Sequence, residues 1–392
     1  MSSSPFTELT EGLSRAFEFI VDPFHLKQKA EKDATAPFDQ PYLEPTRWFL
    51  TEGEMLTSRA GHQRDGIQLY STGNRVKLYV ASAGYFNDVA NDMMEVRRGD
   101  LVYIAGWGTC NVPFKPLEPD TKLCDLAEGA VKRGADWRML VWSNLTERAQ
   151  NHEGEQSIFH ARIKAIRNAQ NYIFIQDQYF ILVPELLEAI MDMMPSIERL
   201  IVIMQRTVEA EYTGYAKYLY DMVSPIQEAY PDKFKLYSTK ESKELYIHSK
   251  LVIVDDVYVS LGSANWNRRS MTSDTEIGIN IVDTELVQSP DNITVNKLAR
   301  NFRIQKFMEA TKRTYDELDA MTFLEACDAL ETAAHDDGKS IIEPYAVEFK
   351  PQFNLVSDGL RQLVDPDVLG DENPAKKFKN FVDKLGPQKC EP

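Results

Sequence analysis

Short apolar runs alternate with amphipathic segments along most of this 392-residue chain, and this alternation restricts the fold more than any other feature. In a first series, residues 75–81, 100–107 and 137–143 are predicted strands, and residues 83–98 and 121–134 are predicted helices. The run at 100–107 is continuously apolar, which is typical of a strand buried on both faces. Strands that alternate with helices predict a mostly parallel sheet with helices on its faces.

A second series follows a polar stretch near residues 147–156, for which no element is predicted. Its predicted helices are 157–168, 184–195, 212–230 and a helical pattern over 296–334, and its predicted strands are 172–180, 200–204, 234–238, 251–254 and 257–261. The sequence therefore predicts an α/β fold with mixed or parallel sheets flanked by helices, in two consecutive segments.

The amino-acid composition restricts the kinds of molecule that the chain can bind. The formal net charge is −16, so the protein gains no general attraction to nucleic acid or to anionic lipid. An anionic substrate must then be held by a local positive site, and a nucleic-acid partner is disfavoured. Residues 1–14 lack the basic and apolar regions of a signal peptide, and no apolar run is long enough to span a membrane. We expect a cytoplasmic protein, with peripheral membrane contact as a further option.

The strongest chemical signal is one set of residues spaced H-x-K-x4-D-x6-G-S-x-N, namely His248, Lys250, Asp255, Gly262, Ser263 and Asn265. An imidazole that acts as nucleophile or acid, an ammonium that binds phosphate oxygens, and a hydroxyl and an amide as further ligands suit phosphodiester chemistry. In an extended chain alternate side chains point the same way, so His248 and Lys250 are expected on one face.

Three further residues of this stretch have expected positions. Glu276 precedes another apolar run, where its carboxylate is placed to hold the imidazole of His248 in one tautomer. Asp255 follows a strand and is expected to tie the turn together rather than to contact a substrate. Gly262 ends the next strand and brings the following Ser263 to the same region.

This pattern closely resembles the signature of the phospholipase D superfamily, known as the HKD motif. The segment 176–180 also resembles the E-N-Q-Y-F segment of the lipid-cleaving branch. The resemblance implies a covalent phosphohistidine, no metal or other cofactor, and a phosphatidylcholine-type phospholipid hydrolysed to phosphatidic acid. It assigns catalytic roles to the following residues: His248, Lys250, Ser263, Asn265 and Glu276.

Members of that branch carry two copies of the motif, and this chain shows only one. His152 is followed by Glu153 and Gly154, and His160 has no Asp at the matching distance, so neither supplies the first copy. The expected organisation is an N-terminal arm, a truncated first half, a second half with the motif and a C-terminal extension: residues 1–45, 46–153, 154–335 and 336–392.

Several functions remain open at this stage. One is an enzyme in which two copies of His248 meet across a two-fold homodimer. Another is a non-catalytic protein that keeps the fold and a phosphate pocket. A nuclease-type phosphodiesterase is a third function, which the net charge disfavours. The missing first motif is also compatible with a splice or gene-model variant of a full enzyme.

Overall fold

A mixed seven-stranded sheet is the centre of the computed structural model. The structure describes residues 38–106, 110–141, 155–206, 214–272, 274–336, 338, 340–355 and 365. The strands are β1 Leu101–Gly106, β2 Asp136–Val141, β3 Tyr172–Asp177, β4 Arg199–Met204, β5 Phe234–Thr239, β6 Lys250–Val254, β7 Tyr258–Gly262, β8 Gly278–Val282, β9 Leu286–Gln288, β10 Thr294–Asn296 and β11 Ile342–Pro344.

Helices cover both faces of this sheet. The α-helices of the described chain are α1 Pro45–Trp48, α2 Glu52–Ser58, α3 Ser82–Glu95, α4 Leu123–Lys132, α5 Ser157–Arg167, α6 Pro184–Met193, α7 Tyr215–Ala229, α8 Arg268–Thr272, α9 Lys297–Thr311, α10 Tyr315–Asp319 and α11 Phe323–Ala334. Short 3-10 turns lie at Pro119–Thr121, Glu241–Lys243 and Pro351–Leu355. This architecture is the α/β fold with flanking helices that the sequence predicts.

The central strand β3 shows how the core is divided. Ile173 and Ile175 pack with α5, α6 and α7 on one face, whereas Tyr172 and Phe174 pack with α9 and α11 on the other. Successive side chains of a strand point to opposite faces, so a continuous apolar strand serves both helix layers. Every residue of β3 is accordingly buried.

The strand order in the seven-stranded sheet is β11-β5-β4-β3-β6-β7-β8, and the strand directions are mixed. β3, β4 and β5 are parallel to one another, as expected for strands joined through helices. β6 is antiparallel to β3 and to β7, and β8 is antiparallel to β7. The hairpin between β6 and β7 turns at Asp255 and Asp256, which both have positive φ, and Val257 N–H donates to Val254 O at 2.9 Å.

The first series forms a smaller unit. β1 and β2 pair in parallel, and α3 and α4 pack beside them around Ala90, Met93 and Leu126. The predicted strand–helix–strand order from residue 100 to residue 143 is therefore confirmed within the described residues.

The predicted strand at residues 75–81 is wrong. Among the described residues they pair with no strand, although Val76, Leu78 and Val80 do pack against the core layer around α9 and α11. Lys306 Nζ donates to the carbonyl of Val80 at 3.3 Å. Alternating hydrophobicity reports which side of an extended chain is buried, and a strand additionally needs a neighbouring backbone to pair with.

Residues 100–107 are predicted to form a buried strand. The strand is present as β1, but it is not buried. Leu101 and Tyr103 keep 61% and 60% of their surface exposed. β1 and β2 form a sheet of only two strands, so the described elements cover one face of it and leave the other open.

The helical pattern over residues 296–334 is three helices rather than one. α9 ends at Lys312, which adopts a left-handed backbone with φ of 63°. Thr314 and Thr322 then start α10 and α11 with capping boxes, in which Glu317 and Glu325 bind back to the threonine backbone. Each T-x-x-E sequence is a helix-start signal within the longer apolar pattern.

The other predicted elements of the second series agree with the structure within a few residues, and β3 ends earlier than predicted, at Asp177. The segment around His152 and the chain after Asp365 lie outside the described residues. Among the described residues, no helix combines the length and the apolar character needed to cross a bilayer.

The close approach of β7 to β8 requires a glycine. A Cβ atom on Gly262 would lie 2.3 Å from the carbonyl oxygen of Ile277 and 2.8 Å from the Cα atom of Gly278, inside van der Waals contact. Both neighbours are backbone atoms, so they move only if the strand moves.

We therefore expect Gly262→Ala to lower the free energy of unfolding by about 1–3 kcal/mol, or more if β8 detaches. Gly278→Ala is the matched control on the paired strand, because its Cβ atom would meet only the Ile158 side chain at 3.3 Å. Urea unfolding of both variants measures the difference. Equal destabilisation by the two substitutions would contradict this account of Gly262.

Candidate active site at one edge of the sheet

Strand ends from four different strands meet at one edge of the seven-stranded sheet. Asp177 at the end of β3 is paired with Lys250 at the start of β6, and Gly262 at the end of β7 is paired with Gly278 at the start of β8. Because β6 runs antiparallel to its neighbours, the start of β6 lies beside the ends of β3 and β7. The residues just outside these ends are His248, Ser263, Asn265 and Glu276.

Lys250 is only 3% exposed, and its ammonium lies within this edge. It donates to Gln178 Oε1 at 3.1 Å and to the carbonyl of His248 at 2.9 Å. Burial lowers the pKa of Lys250 to about 8, although the nearby carboxylates of Asp177 and Glu276 favour its charge. Two of its three N–H groups are used by the protein, which leaves one for a ligand.

His248 is an exposed residue, and its ring lies beside the ring of Tyr246, with centroids 6.0 Å apart and 25° between the planes. Partial desolvation lowers the pKa of His248, and the positive charge of Lys250 lowers it further. Among the described residues nothing is hydrogen-bonded to the imidazole. The ring is thus uncharged near neutral pH, and it is open to an incoming group.

Ser263 and Glu276 bind each other. The hydroxyl of Ser263 donates to Glu276 Oε2 at 2.5 Å and accepts from the backbone N–H of Ile277 at 2.9 Å. The expected contact between Glu276 and His248 is therefore absent from the described geometry. The close approach of β7 and β8 explains the difference, because it places the Ser263 hydroxyl directly against the carboxylate that precedes β8.

Asn265 is half-buried in the loop that follows β7, and its Oδ1 atom has no hydrogen-bond partner among the described residues. A buried amide oxygen without a partner carries a free-energy cost. Lys250 therefore has one donor, and Asn265 one acceptor, that no described residue binds.

Asp255 lies at the opposite end of β6 from Lys250, which over five residues corresponds to about 16 Å. Its carboxylate accepts the backbone N–H groups of Gln170, Asn171 and Tyr172 at 2.6, 2.8 and 2.8 Å. These contacts join the β6–β7 turn to the start of β3. Asp255 is completely buried.

Sequence reasoning missed three residues of this edge: Arg162, Asp177 and Gln178. Gln178 accepts from Lys250, and its Nε2 atom donates to the hydroxyl of Tyr246 at 2.5 Å. Arg162 had a readable signal, since it occupies the same face of α5 as buried Phe159 and Ile166. A charged residue within an apolar stripe is unusual enough to indicate a specific role.

The two histidines that were considered for the missing first copy of the motif have different positions. His160 lies in α5, where burial lowers the pKa of its imidazole. His152 lies outside the described residues. Within the described chain, no group of three or more His, Cys, Asp or Glu side chains is placed to hold a metal ion.

One protein-family model matches the region of the chain that contains the motif. The family model described as "Cardiolipin synthase, PLD-like domain" matches residues 162–295. This range contains β3 to β8 and all of the sequence-predicted site residues.

Several curated relatives are named phospholipase D. The chain is 28% identical to phospholipase D delta of Arabidopsis thaliana over 144 residues, which cover 36% of this chain and 16% of that protein. It is 26% identical to phospholipase D1 of Saccharomyces cerevisiae over 319 residues, covering 59% and 19% respectively. The matched regions thus span about a fifth or less of these relatives.

Solved structures give weaker likenesses. Nuc from Salmonella typhimurium, a phospholipase D family member, is 20% identical, with 38% of this chain and 84% of that chain covered and a TM-score of 0.28. Phosphatidylserine synthase from Haemophilus influenzae is 14% identical, with 58% and 44% covered and a TM-score of 0.32.

Asp177 generates a pH prediction. Burial raises the pKa of its carboxyl from 3.8 to about 6, although Arg162 opposes the shift. The folded protein therefore holds a proton that the unfolded chain releases, so the stability contribution is complete below about pH 4 and is lost as the pH rises through about 6. Relative to Asp177→Asn, the wild type should lose about 3 kcal/mol of unfolding free energy across this window.

The measurement is urea unfolding of both proteins at pH 4, 5, 6 and 7. Asp232→Asn, which removes one exposed carboxylate at the turn before β5, is the matched control. If the wild type and Asp177→Asn keep a constant difference over this range, the carboxyl does not titrate there and the assignment is wrong.

Proposed function

We propose, because this chain carries a phospholipase D-like domain at residues 162–295, that it cleaves phosphodiester bonds in phospholipid head groups. The substrate that we propose is a phosphatidylcholine-type lipid, and the products are phosphatidic acid and the free alcohol. The single observation that carries the proposal is that exposed His248 and buried Lys250 lie together at one edge of the sheet, where Lys250 Nζ donates to the His248 carbonyl at 2.9 Å.

In the proposed reaction, a ring nitrogen of neutral His248 attacks phosphorus and forms a phosphohistidine. The bond between phosphorus and the head-group oxygen breaks, and the departing oxygen takes a proton from a second acid. Water then attacks phosphorus and gives a proton to that second group, and the bond between phosphorus and the ring nitrogen breaks. This step releases phosphatidic acid and restores both groups. An imidazole with a lowered pKa suits this role, because only the uncharged ring has a free electron pair.

The neighbouring residues receive distinct roles in the proposal. The ammonium of Lys250 and the amide N–H groups of Asn265 donate to non-bridging phosphate oxygens, which gain negative charge at the transition state. The Ser263 hydroxyl, hydrogen-bonded to Glu276, supplies another polar contact at the same edge. Glu276 also favours the charged form of Lys250, which is the form that binds an anion.

The second acid is the part that a single motif does not supply. We propose that it is His248 of a second copy, brought to the same phosphorus across a two-fold axis. An isologous interface presents the same patch from both subunits, so one exposed histidine per chain suffices. The exposure of His248 supports this arrangement, since a partner has access to the ring.

The experiments that test this proposal can also reveal one of two alternative functions. A protein that binds phosphate without turnover would be a non-catalytic relative, and cleavage of single-stranded DNA would indicate a nuclease-type phosphodiesterase. The net charge of −16 favours a lipid over nucleic acid, because an acidic surface repels a polyanion. The expected cytoplasmic location with peripheral membrane contact belongs to the same proposal.

The organisation into two half-domains is also a proposal. The matched domain falls within the expected second half, residues 154–335. The small unit of β1, β2, α3 and α4 lies in the expected truncated first half, residues 46–153. The arm over 1–45 and the extension over 336–392 complete this division.

We expect His248→Ala to reduce choline release from phosphatidylcholine vesicles by at least about a thousandfold, because it removes the nucleophile. His335→Ala is the matched control, since His335 is exposed at the end of α11 and contacts Glu331. Single-stranded DNA is assayed in parallel. Wild-type protein that releases no choline and forms no phosphohistidine would contradict the proposed lipid reaction, and DNA cleavage lost in His248→Ala would replace it with a nuclease.

The shared-site arrangement makes a second, separate prediction. Equal amounts of differently tagged wild type and His248→Ala, refolded together, should retain about a quarter of the wild-type activity, because random pairing leaves about a quarter of the dimers with both histidines. Retention of about half would mean that each chain works alone. Solution mass, measured by light scattering on the same samples, checks that dimers are present.

A further inference from the structure

The loop that presents two predicted site residues is anchored from outside the motif. We call residues 263–266 the asparagine loop, because Asn265 lies within it. The backbone groups on the two sides of Asn265 are the carbonyl of Ala264 and the N–H of Trp266. Each of them is bound by a charged side chain from another element of the fold.

Arg162, from α5, binds the first side. Its Nη2 atom donates to the carbonyl of Ala264 at 2.6 Å, and its guanidinium carbon lies 5.8 Å from the centroid of the Trp266 ring. The side chain is only 2% exposed. Its Nε and Nη1 atoms have no hydrogen-bond partner among the described residues.

Asp177, at the end of β3, binds the second side. Its Oδ1 atom accepts the N–H of Trp266 at 3.1 Å and the N–H of Tyr179 at 3.1 Å. The residue is completely buried, and its Oδ2 atom has no hydrogen-bond partner among the described residues. Its segment, Gln176 to Phe180, differs from the E-N-Q-Y-F pattern here, because an acid replaces the neutral asparagine.

These two charges cost the fold free energy. Desolvation lowers the pKa of Arg162 and raises the pKa of Asp177, and in both cases it outweighs the attraction between the two. Replacing a buried ion pair by neutral residues is often neutral or stabilising, so packing does not require charge here. Buried ionisable groups with perturbed pKa values concentrate at functional sites.

The surrounding charges make the two residues interdependent. Asp177 faces Lys250 as well as Arg162, and Arg162 faces Glu276 as well as Asp177. Removing either residue alone leaves a buried charge of one sign in excess beside Lys250. Removing both keeps the balance of charge but still loses the donor to Ala264.

We propose that Arg162 and Asp177 act together as positioning residues, which hold Asn265 for phosphate binding by anchoring the backbone on both of its sides. This inference rests on the proposed function for the identity of the ligand. The anchoring itself is independent of turnover and is measurable without a substrate.

The test uses Arg162→Met, Asp177→Asn and the double variant in the full chain. Hydrogen exchange at the backbone N–H of Trp266 and its neighbours reports the anchoring, and calorimetry with inorganic phosphate reports the site. We expect faster exchange in Arg162→Met and in the double variant, and each single variant should bind phosphate about tenfold more weakly. If turnover is present, kcat/KM should fall in each single variant.

Joint action predicts that the double variant loses no more phosphate affinity than the worse single variant, instead of the product of the two losses. Arg162→Lys retains a charge and a donor, so it should recover part of the affinity, and it also replaces Arg162→Met if that protein does not fold. The matched control is Lys164→Met with Glu54→Gln, an ion pair at 2.6 Å between the same helix and α2.

Several results would overturn the inference. These are unchanged exchange at Trp266 in Arg162→Met, phosphate losses that multiply in the double variant, or equal effects from the Lys164 and Glu54 pair. If wild type shows the anchored loop and variant-sensitive exchange but cleaves no lipid, the proposed function fails and the positioning survives. If lipid is cleaved equally well by all variants, the function survives and the positioning fails.

Discussion

The antiparallel insertion of β6 between β3 and β7 is the constraint on which the site depends. It places the start of β6 beside the ends of its neighbours, so that Lys250 pairs with Asp177 across the ladder. In an all-parallel sheet the start of β6 would lie at the opposite edge. Asp255 stabilises this insertion from the far end by accepting three backbone N–H groups where β3 begins.

The site is a place where the protein tolerates costs that a purely structural edge would avoid. Lys250, Asp177 and Arg162 are all buried with shifted pKa values, and Asn265 has a buried oxygen without a partner in the described chain. A phosphodiester anion would offer an acceptor to the remaining N–H group of Lys250. Buried ionisable groups with shifted pKa values of this kind concentrate at functional sites.

Much of the fold was predictable because local patterns and tertiary contacts agree there. The apolar strands and amphipathic helices of the second series were found within a few residues. Residues 75–81 were misread because alternation reports burial on one side and not the presence of a pairing strand. The exposed β1 was misread because an apolar run does not reveal whether a second layer covers it. Arg162 was missed because a charged residue on a helix usually has a solvent-exposed side chain.

The sequence alone determined the chemistry available at the site, since spacing and residue type identify an imidazole, an ammonium, a hydroxyl and an amide within one short stretch. It also determined the α/β class, because periodicity is a local property. Tertiary structure decided which groups meet. Because of the strand order and the close approach of β7 to β8, Glu276 binds Ser263 rather than His248. The same packing buries Arg162 and Asp177 beside the loop that carries Asn265. Such contacts join residues far apart in the chain, and their geometry follows from the packed sheet as a whole.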